Sequence, residues 1–361
     1  MKILFAAGGT GGHINPAIAI AKEFRANNPE CEILFIGTKR GLEGKLIPRE
    51  GFDIEYIEAA GFRRKITPEN IVVAYKAFTS MLRTRRIIKD FAPDIVIGCG
   101  GYTSGPVVME AALKKIPTLI HEQNVFPGIT NKMLSGKADT VCISFEEAER
   151  YFTKAKNIVF TGNPVRPSLF SLTKQSARLK LGVDSRPLLV AVGGSLGATT
   201  INSQMLSLIK KLPGSVQVMW ATGNREYDRV MEKIVKIPPN VQISPYIYNM
   251  DEVLQAADLV ISRSGAITLT ELCATGTPSV LIPSPNVAEN HQEINARALE
   301  AKDAAVVICE SELDDTILSD TVLKLIDDKE QLNKMSKNAK NMSKADACHQ
   351  IYLEAVKLLK K

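Results

Sequence analysis

Cysteine is scarce in this chain and never clustered. The six residues Cys31, Cys99, Cys142, Cys273, Cys309 and Cys348 lie far apart, without a C-x-x-C pair. That removes a zinc pattern and a disulfide framework, and leaves reduced thiols in the cytosol as the expectation. No apolar run approaches the ~18 residues that a membrane-spanning helix needs. The opening run, residues 1–7, breaks into glycines too early for a signal peptide. The chain therefore reads as soluble or peripheral. The P-loop pattern G-x-x-x-x-G-K-[ST] is missing, which argues against a kinase-type NTPase. The dinucleotide pattern G-x-G-x-x-G fails too: counted from Gly9 and Gly11, its third glycine falls on Ile14. Phe35-Ile36-Gly37-Thr38-Lys39-Arg40 carries no acidic residue to hold a ribose, so a nicotinamide dinucleotide is disfavoured. No D-x-D motif offers a metal site; Asp314-Asp315 and Asp327-Asp328 read as solvated helix-end charges.

What is present is ample for two cores. A length of 361 residues suits two domains, and 45% hydrophobic with 23% charged residues are ordinary globular values. Charge is placed unevenly. Residues 61–90 set Arg63, Arg64, Lys65, Lys76, Arg83, Arg85, Arg86 and Lys89 against Glu69 and Asp90, which equals the chain's whole net charge of +6. No nucleic-acid motif accompanies this segment, so nucleic acid is not expected as a partner.

Short apolar runs alternate with helical patterns. Strand-like runs fall at 3–7, 32–36, 54–57, 94–98, 118–121, 140–143 and 158–161, mostly without polar alternation, as strands covered on both faces require. Ile14, Ala17, Ile18, Ala21 and Phe24 then fall at helix spacing behind a glycine loop. Gly162-Asn163-Pro164-Val165-Arg166-Pro167 interrupts the series, and a second one follows at 188–192, 216–220, 241–244, 259–262, 279–282 and 304–308. Both series place a glycine turn after their first strand. The pattern predicts an α/β protein of two doubly wound parallel-sheet domains, 1–164 and 165–343, sharing a cleft at their strand ends. The helical stretch 344–361 is expected to pack back onto the first domain.

Three glycine loops each follow a predicted strand: residues 8–12, Gly100-Gly101-Tyr102-Thr103-Ser104-Gly105-Pro106, and Gly193-Gly194-Ser195-Leu196-Gly197. Such turns bring backbone N–H groups and a helix N-terminus close to phosphate. One loop is as readily a tight turn with no ligand; three together favour a polyphosphate ligand.

The ordered set Gly8-Gly9-Thr10-Gly11-Gly12-His13-Ile14-Asn15-Pro16, Gly100-Gly101-Tyr102, His121-Glu122-Gln123-Asn124, Gly162-Asn163-Pro164-Val165-Arg166, Gly193-Gly194-Ser195-Leu196-Gly197 and Arg263-Ser264-Gly265-Ala266 closely resembles the MurG family of glycosyltransferases. The matches run from Gly8 to Gln292 in family order. The resemblance implies a GT-B fold of two facing Rossmann-like domains. It also implies inverting transfer of N-acetylglucosamine (GlcNAc) from UDP-GlcNAc to the C4 hydroxyl of an undecaprenyl-diphosphate-linked muramyl-peptide (lipid I), giving lipid II for peptidoglycan.

Such a transfer needs a base for the acceptor hydroxyl, worth ~10²–10⁴-fold. His13, at the first glycine turn, is either that base or a histidine that hydrogen-bonds its own loop; the resemblance makes it the leading candidate, with His121 and Glu122 as alternatives. Thr268 and Glu271 read equally as a capping box and as a ribose contact, and the resemblance favours ribose. Asn290 and Glu293 leave the same ambiguity around His291 and Gln292. By resemblance, Gln292 with His291, and Asn124, contact the sugar, Arg166 and Ser195 lie on the phosphate side, and the Ile247 segment reads uracil. The donor set extends to Thr10, Gly11, Gly12, Ala266 and Ile267. Gly100, Gly101, Tyr102 and Thr103, with His121 and Glu122, are the acceptor candidates. Helix dipole and N–H groups suffice for the leaving UDP, so no cofactor or tightly bound metal is required.

Residues 69–90 read as a helix with Ile71, Tyr75, Phe78 and Leu82 on one apolar line, beside Arg85 and Arg86. A packed helix with a solvated basic end is the commoner arrangement. The resemblance, with its polyprenyl acceptor, favours peripheral contact with the anionic inner leaflet on the cytoplasmic face of the cell membrane. Contact with other cell-wall synthesis proteins stays open. Two rival readings remain: a UDP-GlcNAc 2-epimerase, and a non-catalytic nucleotide-sugar or lipid-diphosphate binding protein.

Overall fold

Seven short strands of the first half align in parallel: β1 (Lys2–Ala6), β2 (Glu32–Gly37), β3 (Asp53–Tyr56), β4 (Ile95–Gly98), β5 (Thr118–Glu122), β6 (Thr140–Ile143) and β7 (Ile158–Phe160). Their spatial order is β3-β2-β1-β4-β5-β6-β7. In the computed structural model every residue is described except Arg40, 59–68, Ser195 and Lys361, with only the backbone described for 69–78. The runs lack alternation because both faces of the sheet are covered. Ile3 and Phe5 join Ile14, Ala17 and Phe24 in one core, while Leu4 and Ala6 join Val96, Val107, Ile120 and Val141 in another.

The connecting helices of this half are α1 (Gly11–Asn27), α2 (Glu43–Arg49), α3 (Glu69–Phe91), α4 (Ser104–Leu113) and α5 (Ile129–Leu134). The terminal helix Ala347–Leu359 belongs to the same unit, which comprises Met1–Val165 and Asp346–Lys361. It lies on α1. Ile351, Ala355 and Leu358 enter the core there, and Tyr352 meets Phe24 edge to face at 5.0 Å. Burying an Ile or Leu side chain stabilises by about 1.5–3 kcal/mol. Asn28 Nδ2 donates to the Tyr352 hydroxyl at 2.9 Å, and His349 Nδ1 lies 2.9 Å from Glu23 Oε1.

The second unit, Arg166–Ala345, repeats the plan with β8 (Leu188–Val192), β9 (Gln217–Ala221), β10 (Val241–Ser244), β11 (Leu259–Ser262), β12 (Ser279–Leu281) and β13 (Ala305–Val307). Their order is β10-β9-β8-β11-β12-β13, again all parallel. In each sheet the strand order reverses once, between β1 and β4 and between β8 and β11. Ligands of doubly wound sheets bind at this switch point, beyond the carboxyl ends of the strands. The glycine loops at 8–12, 100–106 and 193–197 all leave strands that flank it.

Candidate active site

In the first unit two glycine loops press together at the switch point. Gly101 has φ 81°, and a β-carbon built on it would stand 2.2 Å from the Gly8 carbonyl oxygen. Only glycine fits there. Ser104 Oγ accepts the Gly100 N–H at 3.0 Å and lies 2.8 Å from the Ala6 carbonyl, tying the second loop to the end of β1. Thr10 is the N-cap of α1 without a side-chain cap bond, and Gly11 and Gly12 open its first turn.

His13 sits in that first turn, half-buried. Its Nδ1 lies 3.2 Å from the Gly8 carbonyl and 3.4 Å from Thr10 Oγ1. A carbonyl only accepts, so Nδ1 carries the proton in this contact and Nε2 carries the lone pair. Gly100 backs the ring: a β-carbon on it would stand 2.7 Å from Cδ2 and 3.1 Å from Nε2. The histidine thus hydrogen-bonds its own loop through Nδ1.

The alternatives at the end of β5 are differently placed. His121 is fully buried, with Nε2 3.2 Å from the Gly162 carbonyl and Nδ1 3.0 Å from Gln123 Nε2. Burial pushes its pKa down to about 4, so it is neutral at neutral pH with both nitrogens engaged. Glu122 is equally buried. Its Oε1 accepts from Asn124 N and Nδ2 (3.0 and 3.1 Å), and its Oε2 from Gly128 N and Asn131 Nδ2 (3.1 and 2.8 Å). Burial raises its pKa, only partly offset by the Asn124, Asn131 and Gly128 donors. Neither side chain reaches solvent: Glu122 holds the turn that carries Asn124, and His121 ties the end of β5 to the Gly162 turn. On the loop after β4, Tyr102 is 63% exposed, while Thr103 Oγ1 is buried without a hydrogen-bond partner among the described residues.

Sequence reasoning missed Glu43. Its carboxylate is buried beneath the first glycine loop, where Oε2 accepts the Gly9 N–H at 3.1 Å. Oε1 accepts the Thr38 N–H at 2.9 Å and the Thr38 hydroxyl at 2.7 Å. The only available signal was an acidic side chain a few residues past β2, where a dinucleotide-binding chain would keep a ribose ligand.

In the second unit, helix Ala266–Thr275 begins at Gly265, and its first internal bond runs from Leu269 N to the Gly265 carbonyl at 3.0 Å. The N–H groups of Ala266, Ile267 and Thr268 therefore have no carbonyl within the helix, the arrangement that suits an anion. Thr268 is already inside the helix, so it caps nothing and the capping-box reading falls. Glu271, one turn on, accepts from Arg166 Nη2 at 3.1 Å, and the same nitrogen lies 2.6 Å from Asp251 Oδ1. Burial raises the Glu271 pKa, while Arg166 pulls it back. Arg263 braces the turn after β12, donating to the carbonyls of Ile282 and Pro283 (2.9 and 3.1 Å) and pairing with Glu310.

Glu289 and Asn290 are both left-handed, at φ 55° and 50°, ahead of helix His291–Glu300. Two such residues in succession store strain of the kind that collects at binding sites. Asn290 makes no side-chain cap; its Nδ2 donates to Glu293 Oε2 at 2.6 Å. Gln292 Oε1 accepts the Ser284 N–H at 2.9 Å, and His291 Nδ1 donates to the Ala288 carbonyl at 2.8 Å. The Ile247 side chain is buried between the exposed Tyr246 and Tyr248. Ser195 lies outside the described residues.

On α3, Leu82 is 51% exposed and Arg86 is exposed. Arg85 is engaged, with Nε 2.9 Å from Oε1 of the buried Glu110. The side chains of Ile71, Tyr75 and Phe78, and residues Arg63, Arg64 and Lys65, lie outside the described residues. Among the described residues, no helix is long and apolar enough to cross a membrane, and no cluster of three or more His, Cys, Asp or Glu is placed to hold a metal.

Known proteins share this plan. The glycosyltransferase family 28 N-terminal domain matches residues 3–143, and the glycosyltransferase family 28 C-terminal domain matches residues 188–351. A relative from Caldanaerobacter subterraneus subsp. tengcongensis, named UDP-N-acetylglucosamine--N-acetylmuramyl-(pentapeptide) pyrophosphoryl-undecaprenol N-acetylglucosamine transferase, is 51% identical over 98% of each chain. The crystal structure of Acinetobacter baumannii MurG is similar at a TM-score of 0.81, with 29% identity over 98% of each chain. The UDP-GlcNAc 2-epimerase of Neisseria meningitidis has a TM-score of 0.69 at 16% identity over the full length of both chains, a likeness of fold alone. With its two parallel-sheet units and full-length identity to named N-acetylglucosamine transferases, this chain belongs to the MurG glycosyltransferases of family 28.

Proposed function

We propose that this enzyme transfers GlcNAc from UDP-GlcNAc to the C4 hydroxyl of MurNAc-(pentapeptide)-diphospho-undecaprenol, converting lipid I to lipid II with inversion at the anomeric carbon. The observation that carries the reading is the 51% identity, over nearly the whole chain, to a transferase named for those substrates. His13 supports it, because its Nδ1–H on the Gly8 carbonyl leaves Nε2 as a proton acceptor at a switch-point turn. As the C4 oxygen attacks C1, the C1–O bond to the diphosphate breaks, and the hydroxyl proton passes to Nε2. UDP leaves with the electron pair.

The second unit takes the donor. N–H groups of Ala266, Ile267 and Thr268, with Arg166 and Ser195, meet the diphosphate; Glu271 accepts from the ribose hydroxyls, and backbone around Ile247 reads the uracil edge. Gln292 with His291, and Asn124, are the sugar contacts that the family pattern supports. Thr10, Gly11 and Gly12 lie on the phosphate side. Gly100, Gly101, Tyr102 and Thr103 receive the acceptor diphosphate, while His121 and Glu122 support that rim from within. No metal is needed, since fixed N–H dipoles carry the developing charge on UDP. Leu82 and Arg86 of α3 make a peripheral contact with the anionic inner leaflet, a contact that the sequence pattern extends to Ile71, Tyr75, Phe78 and Arg85.

The test is transfer of labelled GlcNAc to a short-chain lipid I analogue by wild type and His13→Ala. Acceptor-dependent disaccharide from the wild type and a loss of at least ~10²-fold in a folded His13→Ala protein support the reading. Epimerised or untouched UDP-sugar, or an active variant, overturns it.

A further inference from the structure

We infer that Glu43 is a positioning residue for this reaction, acting on His13 through the Gly8–Gly9 peptide bond. The inference rests on the proposed role of His13 as base. One amide joins the two side chains. Its carbonyl, on Gly8, accepts from His13 Nδ1 at 3.2 Å, and its N–H, on Gly9, donates to Glu43 Oε2 at 3.1 Å. The peptide is conjugated, so a carboxylate on the N–H drives electron density toward the carbonyl oxygen. Hydrogen bonds in a chain strengthen one another by about 10–30% each. The imidazole then meets a stronger acceptor, which fixes Nδ1 as the protonated nitrogen and favours the imidazolium formed when Nε2 takes a proton. A carboxylate does this directly in hydrolase triads; here a peptide is interposed.

Glu43 is ionised for the purpose. Burial raises its pKa, but the hydrogen bonds from the Thr38 hydroxyl, its own N–H, and the N–H groups of Thr38 and Gly9 outweigh burial and hold it below the usual range. The Gly8 face is closed as well: a β-carbon on Gly8 would stand 2.9 Å from Glu43 Oε1. Among the described residues, the titratable groups around the imidazole include Glu43 behind the loop and His121 on β5, coupled to it by charge.

Glu43→Gln keeps the shape and removes the charge. In the full-length enzyme we expect kcat to fall about 10-fold with the KM for UDP-GlcNAc within about 2-fold. The acidic limb of kcat/KM should move to lower pH by about half a unit, because a less basic imidazole protonates later as pH falls. Thr38→Val loosens the same corner but keeps the carboxylate, so it should lower the Tm and leave that limb in place. A folded Glu43→Gln enzyme with an unmoved limb, or the same displacement in Thr38→Val, overturns the inference. If Glu43→Gln does not fold, wild-type protein labelled with ¹⁵N at glycine and histidine decides. The neutral His13 should carry its proton on Nδ1, and the Gly9 amide should shift as His13 titrates; an Nε2–H tautomer or an indifferent amide refutes the coupling. An active His13→Ala enzyme sinks the base and this relay together, whereas an inactive one beside an unaltered Glu43→Gln sinks the relay alone.

Discussion

Gly101→Ala should do more harm than any other single methyl group added to the first glycine loops. At φ 81° an alanine pays about 1–2 kcal/mol for the left-handed backbone. Its β-carbon would also stand 2.2 Å from the Gly8 carbonyl oxygen, and relieving such overpacking costs about 1–3 kcal/mol more. Together these come to about 2–5 kcal/mol. For a unit of this size each kcal/mol moves Tm by about 2–4 °C, so the melting point should fall by roughly 5–20 °C. Gly9→Ala is the matched control. Its φ is 91°, yet nothing lies within 4 Å of the added carbon, so it pays the backbone term alone and loses roughly 2–8 °C. Differential scanning calorimetry beside Trp220 fluorescence assigns the loss to a unit, because the single tryptophan reports the second unit. Displacing the Gly8 carbonyl also takes the acceptor from His13 Nδ1, so kcat should fall further than donor KM rises. If Gly101→Ala melts with or above Gly9→Ala, the packed-loop reasoning is wrong.

Other perturbations give separate readouts. Glu271→Ala should weaken UDP binding about 10- to 100-fold by calorimetry, from the loss of charge-assisted hydrogen bonds. Because burial raises the Glu271 pKa, wild-type binding should fade on acidification at a higher pH than its ordinary value of 4.5 would give. Asp139 has its pKa raised by burial but lowered further by Lys156 and Thr118, for a net depression. Its stabilisation is therefore present above its ordinary 3.8 and lost as pH falls through the lower folded value; Tm measured from pH 3 to 6 should drop less steeply at the acid end in Asp139→Asn. Arg86→Glu should cut sedimentation with anionic vesicles about 5-fold or more, at ~1 kcal/mol per basic charge near the surface, and leave binding to neutral vesicles unchanged. Equal loss on both vesicle types would rule out the electrostatic contact.

The fold was legible because parallel strands covered on both faces have nowhere to place polar alternation. Runs such as Ile95–Gly98 and Leu188–Val192 therefore announce themselves, and observed strand ends fall within a residue or so of the apolar runs. The glycine turns were legible for a related reason, since a loop squeezed as tightly as Gly101 against Gly8 admits no other residue. Supporting groups were harder to see. Glu43 reads as one more charge on a short surface helix until β1 and β2 pair and bring it under Gly9. Thr268-x-x-Glu271 looked like a cap because a capping box and a helix interior share the same spacing; only the start at Ala266 separates them. The left-handed pair Glu289 and Asn290 carries no glycine to betray it. Their conformation is imposed by the surrounding turn rather than by local preference.

The terminal helix gives the chain an order of events. Residues 346–361 complete the first unit, yet all 180 residues of Arg166–Ala345 are made before them. At about 5–20 residues per second, the first unit waits on the ribosome for roughly 10–40 s with the α1 groove around Phe24 uncovered. A nascent chain of this architecture therefore carries an apolar seam through about half of its synthesis. Any device that recognises incomplete chains by exposed apolar surface has that interval in which to act.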